Sequence, residues 1–349
     1  MKIGITYNLK SDIENIRPEH LLAEDAFEEF DTEETIDSIA SVLEKNGHSV
    51  FRLGWGRPAV KRLLEGNIDF VFNISEGFTG RNREAQIPAI LEMLEIPHTG
   101  SDPLTLSLAL DKVVAKQIAK QNNIVSPDYF VVYKKENVEK MPLRIKYPLF
   151  IKPAWEGSSK GIQQSSKANN KEDLEYYVRY LLDNYPNQPV LIEQYVQGEE
   201  FTVAVLGNEK PQILGIMRIS PKIKDGTDFF YSIEVKRDWE NLVAYECPAK
   251  ISGALRSDLE KTALAAFKAF GARDVARVDF RVDKSGVAHF LEINPLPGLS
   301  PKYSDIVIMT RKLNWTYEGL IMAILNNAVN RYNFCEAHTS YNREKGEAE

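Results

Sequence analysis

A chain of 349 residues, 43% hydrophobic and 27% charged, has the composition of a folded soluble protein and is long for one core, so two or three domains are expected. A net charge of −7 supplies no positive field to gather nucleic acid or anionic lipid, and no apolar run approaches the length of a membrane span. The two cysteines, Cys247 and Cys335, lie far apart with no second cysteine at ligand spacing, which predicts reduced thiols and a cytoplasmic setting.

Ile3-Gly-Ile-Thr-Tyr7 is too short for a signal segment and reads as a buried first strand. Asn8 to Phe30 is acidic and irregular, an insertion or loop. Helical spacing then runs from Thr35 to Asn46, with Gly47 as a stop. Ser49 to Leu53 reads as strand, Ala59 to Leu64 as helix, Ile68 to Asn73 as buried strand and Ala85 to Leu94 as helix. This alternation predicts a parallel sheet with crossover helices. Ser101-Asp102-Pro103 opens a long helix to about Asn122. Strands follow at Tyr129 to Tyr133 and Leu149 to Lys152, then a turn-rich Trp155 to Gly161 and a helix from Lys171 to Leu182. The remainder starts β-rich (Val190 to Val196, Glu200 to Leu206, Gln212 to Ile219). It continues through a helix at Ser257 to Phe270, a hairpin over 275–294 and a last helix from about Tyr317 to Val329. The expected division is 1–103, 104–187 and 188–335, with 336–349 a polar, flexible tail. The fold class is α/β, with an α+β C-terminal part.

Three segments carry chemistry. In the hairpin, Val275-Ala-Arg-Val-Asp-Phe-Arg-Val282 alternates strictly, Asp283 to Gly286 turns, and Val287-Ala-His-Phe-Leu-Glu-Ile-Asn294 returns. Pairing 282 with 287 sets 277 opposite 292 and 279 opposite 290, and puts Arg277, Asp279, Glu292 and Asn294 on one face. Three oxygen ligands beside a guanidinium suit magnesium and bound phosphate; a solvated amphipathic face accounts for the alternation equally well until the rigid, apolar Pro295-Leu-Pro-Gly298 is considered. In Phe150-Ile-Lys-Pro-Ala-Trp-Glu-Gly-Ser-Ser-Lys-Gly161, a buried strand delivers Lys152 to a Gly/Ser loop whose N–H groups suit phosphate oxygens. Taken singly this loop is also an ordinary turn. In Val190 to Ala204, an apolar strand ends at Glu193, and a turn leads to Glu200; buried carboxylates there need partners such as an adenine amino group or a ribose hydroxyl, or else a lysine.

In this order, these segments resemble the ATP-grasp superfamily and, within it, the D-alanine–D-alanine ligase family. The resemblance runs from about Phe72 to about Ala328, and includes Ile96-Pro-His-Thr-Gly-Ser101 and Ala109-Leu-Asp-Lys112. It implies a three-domain ATP-grasp fold with an N-terminal parallel-sheet domain. It further implies an ATP- and Mg2+-dependent ligase, with Mn2+ as a substitute, that joins two amino-acid or peptide-like substrates through an acyl phosphate, as a homodimer. Residue by residue, Lys112 and Lys152 match phosphate lysines. Ser158 and Ser159 match the loop serines over phosphate and first substrate. Glu193, Gln194 and Val196 match the adenine contacts, and Glu200 the ribose acid. Lys236 matches a lysine of a mobile lid, here expected within Ser220 to Pro248, and Arg277 the arginine that stabilises the transferred phosphate. Asp279, Glu292 and Asn294 match the metal ligands.

The departures fall on the substrate side. The acid that holds the first substrate's amine is open among Glu28, Glu29, Glu33 and Glu34. Asn73-Ile-Ser-Glu-Gly-Phe-Thr-Gly-Arg-Asn-Arg-Glu84 replaces the His-Gly…Gly-Glu-Asp-Gly stretch. Arg237 stands where a lid tyrosine is common. Tyr303, near Gly298 and beside Lys302, stands where a serine receives the second substrate's carboxylate. Extra positive groups at Arg237 and Lys302 would suit a more anionic or larger partner. A ligase of specialised peptide or amino-acid-conjugate synthesis is the first alternative, and a non-catalytic nucleotide-binding protein the second.

Overall fold

The structure, a computed structural model, describes residues 1–11, 23–139, 145–223 and 229–333. Cys335, the expected tail and part of the expected insertion lie outside the described residues. Strand β1 (Lys2–Thr6) leads, by way of helix α1 (Glu33–Lys45), to β2 (Ser49–Gly54), and α2 (Gly56–Glu65) leads to β3 (Phe70–Asn73). All pairs are parallel and the order is β2-β1-β3. Helix α1 buries a single stripe, Ile36, Ile39, Ala40 and Leu43, against this sheet, which is what its period of 3–4 residues dictates. A 3₁₀ turn over Arg83–Ala85 precedes α3 (Gln86–Met93).

The long helix expected from Pro103 is two helices, α4 (Pro103–Leu110) and α5 (Lys112–Gln121). Asp111 between them is extended, and its carboxylate accepts from Val113 N and Val114 N at 2.9 and 3.1 Å. The side chain offers the first turn of α5 a cap that a continuous helix would not need. The break matters, because it lets Lys112 N bond Ala154 O at 3.0 Å and sets Lys112 at the head of the new helix.

Strands β4 (Tyr129–Val132), β5 (Leu149–Pro153) and β6 (Lys167–Ala168), helix α6 (Lys171–Asn184) and strand β7 (Val190–Gln194) form a second unit. Its sheet is antiparallel with order β4-β7-β5-β6. Because β7 inserts between β4 and β5, the sequence of this sheet runs past the division expected at 187–188. Helices α4 and α5, assigned to the same central span, place Ala109, Ala115 and Ala119 in another core, with Phe267, Phe280 and Phe290.

That core belongs to the five-stranded sheet built from β8 (Gly198–Leu206), β9 (Gln212–Pro221), helices α7 (Ile233–Arg237) and α8 (Trp239–Leu242), β10 (Val243–Glu246), α9 (Gly253–Phe270), β11 (Val275–Asp283) and β12 (Ala288–Asn294). The order is β10-β9-β8-β11-β12. Helices α10 (Asp305–Lys312) and α11 (Tyr317–Asn333) cover its other face, where Ile306, Met309, Leu320 and Ile324 share one cluster with Ile3 and Ile36.

The hairpin register differs from the expected one. Val282 pairs with Ala288, Phe280 with Phe290, Asp279 with Glu292 and Arg277 with Asn294, with a bulge that leaves Leu291 unopposed. A uniform alternation would have set Phe290 on the polar face. The bulge instead lets Phe290 and Ile293, each at most 2% exposed, both reach the core. It also keeps Glu292 and Asn294 beside Asp279. Burying a phenylalanine is worth roughly 1.5–3 kcal/mol, enough to choose this register.

Candidate active site

The two antiparallel sheets face each other across a cleft whose walls come from β5, β7, β8, β11 and β12. Twelve of the expected residues line one cavity: Lys112, Lys152, Ser158, Ser159, Glu193, Gln194, Val196, Glu200, Lys236, Arg277, Asp279 and Glu292. Asn294, Gly298 and Tyr303 line a second, adjoining cavity, and Arg237 lines neither. Lys112, Gly157, Ser158, Lys236, Arg277, Glu292 and Asp305 belong to both, so they form the passage between them.

At the hairpin, Arg277 clamps Asp279: Nε donates to Oδ1 at 3.0 Å and Nη2 to Oδ2 at 2.9 Å. Thr202 Oγ1 donates to Asp279 Oδ1 at 2.7 Å, and Asn294 Nδ2 to Oδ2 at 3.0 Å. Asp305 Oδ2 lies 3.3 Å from Arg277 Nη1 on the other side. Glu292 sits 3.3 Å from Lys112 Nζ. Burial would raise the Glu292 carboxyl, but Lys112, Lys152 and Arg277 outweigh it and hold it down at about 2.

Lys152 Nζ is 2.8 Å from Glu193 Oε1, and Lys116 Nζ is 3.4 Å from the same oxygen. All three side chains are buried. Burial pulls the Lys116 ammonium down to about 8 against the pull of Glu193. Glu193 is itself held below the usual carboxylate range, as both lysines overcome its burial. Glu200 pairs with Arg281 at 3.2 Å, yet burial and Asp279 push it up to about 7. Arg281 donates from Nε to Val196 O at 2.6 Å and from Nη2 to Phe229 O at 2.6 Å, tying the β7–β8 turn to the segment before α7.

The Gly/Ser loop is held in an unusual shape. Ser158 and Ser159 both have positive φ, 51° and 62°. A left-handed non-glycine residue costs roughly 1–2 kcal/mol, so the loop needs ties. Ser159 Oγ donates to Tyr231 O at 2.9 Å, and Lys160 N to Gly157 O at 2.9 Å. Glu29 receives Gly157 N at 2.7 Å, Lys160 Nζ at 2.9 Å and Arg83 Nη2 at 2.7 Å. Against the desolvation of its full burial, Arg83 and Lys160 hold the Glu29 carboxyl well below its ordinary range.

Of the four open acids, Glu29 is thus a buried tie between the N-terminal segment and the loop. Glu28 pairs with Arg237 at 2.7 Å. Glu33 and Glu34 are exposed in the first turn of α1, and Glu34 lies 2.6 Å from Lys302. Arg237 and Lys302 are therefore each matched by a glutamate, so the positive groups expected to suit a more anionic partner are paired within the chain. Lys236 is half-buried at the passage, and burial lowers its ammonium. A Cβ on Gly298 would come within 3.0 Å of Ser304 Oγ, so Gly298 serves close packing.

Sequence reasoning missed Asp305, Thr202, Lys116 and Arg281. Lys116 was legible as a lysine one turn beyond Lys112, on the same helix face. Asp305 carried no local signal: its partner, Arg277, is 28 residues earlier on a different element.

A family model described as D-ala D-ala ligase C-terminus matches residues 118–326. The chain is 33% identical over 273 residues to D-alanine–D-alanine ligase of Carboxydothermus hydrogenoformans, covering 76% of this chain and 83% of that one. It is 30% identical over 311 residues to the uncharacterized protein y4sG of Sinorhizobium fredii, covering 85% and 88%. Among solved structures, D-alanine–D-alanine ligase from Bacillus anthracis complexed with ATP superposes with TM-score 0.69 at 21% identity, covering 95% of this chain and 99% of that one. VanG D-Ala:D-Ser ligase from Enterococcus faecalis gives 0.70 at 20%, covering 94% and 99%. Fold and cleft define an ATP-grasp protein. The chain belongs to the D-alanine–D-alanine ligase family, a family of ATP-dependent ligases that form peptide bonds. Among the described residues no helix is long and apolar enough to cross a membrane.

Proposed function

We propose that the first cavity holds ATP and that the second holds two amino-acid or peptide-like substrates, with reaction at the passage between them. The observation that carries this reading is the pair of facing couples Asp279–Glu292 and Arg277–Asn294, with Lys112 and Lys152 close by. Glu193, Gln194 and Val196 lie on the adenine side, Glu200 on the ribose side, and Lys152 and the Ser158–Ser159 loop on the phosphates. Asp279, Glu292 and the Asn294 side-chain oxygen form an all-oxygen donor set, which fits Mg2+, with Mn2+ as a substitute. When bound, the metal supplies charge neutralisation to the transferred phosphoryl group.

The chain's own residues do the rest. One substrate's carboxylate oxygen attacks the γ-phosphorus and ADP leaves, giving an acyl phosphate. Arg277, fixed by Asp279 and Asp305, faces the negative charge that develops. The second substrate's amine attacks the acyl carbon, phosphate leaves, and the amine gives up its proton. Within the described part of the expected lid, Phe230, Tyr231 and Lys236 line the cavity, and the Tyr231 carbonyl accepts from Ser159. Closure there excludes water that would hydrolyse the acyl phosphate. This reading places the enzyme in the cytoplasm, as a homodimer.

Asp279→Ala and Glu292→Ala are expected to lower Mg2+-dependent ADP release by about a thousandfold or more, with the circular dichroism of the wild type retained. Turnover surviving both changes would remove the metal assignment.

A further inference from the structure

The second cavity has an acidic wall that the reaction above does not use. Asp31, Glu76 and Glu84 all line it. None of the three has a basic side chain within ion-pair distance among the described residues, whereas the other carboxylates of the cavity are matched: Glu28 by Arg237, Glu29 by Arg83 and Lys160, Glu292 by Lys112, Asp305 by Arg277. Glu84 is 8% exposed and makes no hydrogen bond through its carboxylate among the described residues. A carboxylate buried so far, facing a cavity and without a partner, either keeps its proton or is completed by a cationic ligand.

The wall is built to hold its shape. Glu76 follows the carboxyl end of β3, where ligands of open parallel sheets sit. Gly77 has φ +70°, and a Cβ there would lie 2.3 Å from Arg83 O, so the turn bearing Glu76 is pressed onto the turn bearing Glu84. Asn8 Oδ1 pins the same turn by accepting from Ser75 Oγ at 2.8 Å and Gly77 N at 3.0 Å. Arg83, whose charge reaches both glutamates, is committed elsewhere: to Glu29 and, at 2.6 Å, to the Trp155 carbonyl.

We propose that the substrate cavity takes an amino acid, or a peptide end, bearing a second positive group besides its α-amine, a diamino or basic amino acid whose side-chain cation is received by Asp31, Glu76 and Glu84. One α-ammonium satisfies one carboxylate; three unmatched carboxylates call for more. The electrostatics agree. Burial raises all three carboxyls, Glu84 and Asp31 to about 7 and Glu76 well above its ordinary value, the last also through repulsion from Glu84 and Glu29. The proposal rests on the ligase reading for the place of the substrate, and its test separates the two.

Calorimetric titration in the presence of Mg2+ and a non-hydrolysable ATP analogue would compare matched pairs of both hands, ornithine with norvaline and lysine with norleucine. The cationic member is expected to bind at least about tenfold more tightly. Glu84→Gln and Glu76→Gln are each expected to erase most of that preference while leaving the circular dichroism of the empty protein unchanged. Equal binding within both pairs, or a preference unchanged in both variants, would overturn the proposal. ADP release by the same panel reads the ligase function independently. A cationic preference in binding without ADP release would sink the ligase reading and leave the cation pocket standing. Equal ADP release from neutral and cationic members would overturn the pocket and keep the ligase.

Discussion

Glu193 shows how one side chain sets the character of the end proposed to hold the nucleotide. It is a single carboxylate between two buried ammonium groups, Lys116 and Lys152. Removing an anion from such a group leaves cations buried without compensation, at a cost of about 3–5 kcal/mol. Glu193→Gln is therefore expected to lower the denaturant midpoint markedly, and Lys116→Met in the same chain is expected to recover part of it by deleting one orphaned charge. Equal stability of Glu193→Gln and the wild type, measured by urea unfolding, would mean that the lysines find other partners. Asp305 plays a parallel role at the other end, since it fixes Arg277 from behind.

At the scale of elements, the sequence was readable where its period was regular. The crossover helices of the first sheet, β7 with its apolar run, and the alternation of β11 all follow from apolar spacing. The hairpin face was correct in its members and wrong in its register. The signal for the bulge was present: apolar core positions at 288, 290 and 293 step by two and then by three, a phase break that only an extra residue absorbs. The split of the helix at Asp111 was harder to read. An aspartate inside an apolar period is tolerated as often as it caps, and here the outcome depends on Trp155 Nε1, which donates to Asp111 Oδ2 at 2.8 Å across 44 residues. The tie of Glu29 to the Gly/Ser loop and the matching of Arg237 by Glu28 were illegible for the same reason: both join segments more than a hundred residues apart.

For the whole molecule, the unmatched acids give stability a direction with pH. Asp31, Glu76 and Glu84 have folded-state pKa values above those of unfolded carboxylates. The folded protein then binds more protons than the unfolded chain between about pH 4.5 and 7, and stability falls as pH rises through that window, by up to about 1.4 kcal/mol per pH unit for each group. Glu292, held at about 2, and the lowered Glu193 act in the opposite sense, but only below about pH 4.5. Buried His98, with its pKa lowered by desolvation, opposes the trend as pH rises toward 6.5. The metal-free, substrate-free protein is accordingly expected to melt at a higher temperature at pH 5.5 than at 7.5. A flat or rising profile would mean that these carboxyls ionise freely.

In the proposed reaction, the phosphate end and the amine end of the cleft meet at Arg277, Lys236 and Asp305, which line both cavities. The most direct test is a coupled measurement on the wild-type enzyme: ADP and phosphate release with Mg2+-ATP and a panel of D- and L-amino acids, neutral and basic, supplied singly and in pairs, with the products weighed by mass spectrometry. The account predicts one ADP and one phosphate for each new amide bond, with release dependent on Mg2+ and strongest when a basic amino acid is present. Absence of ADP with every pair, or ADP release that yields no amide, would contradict it.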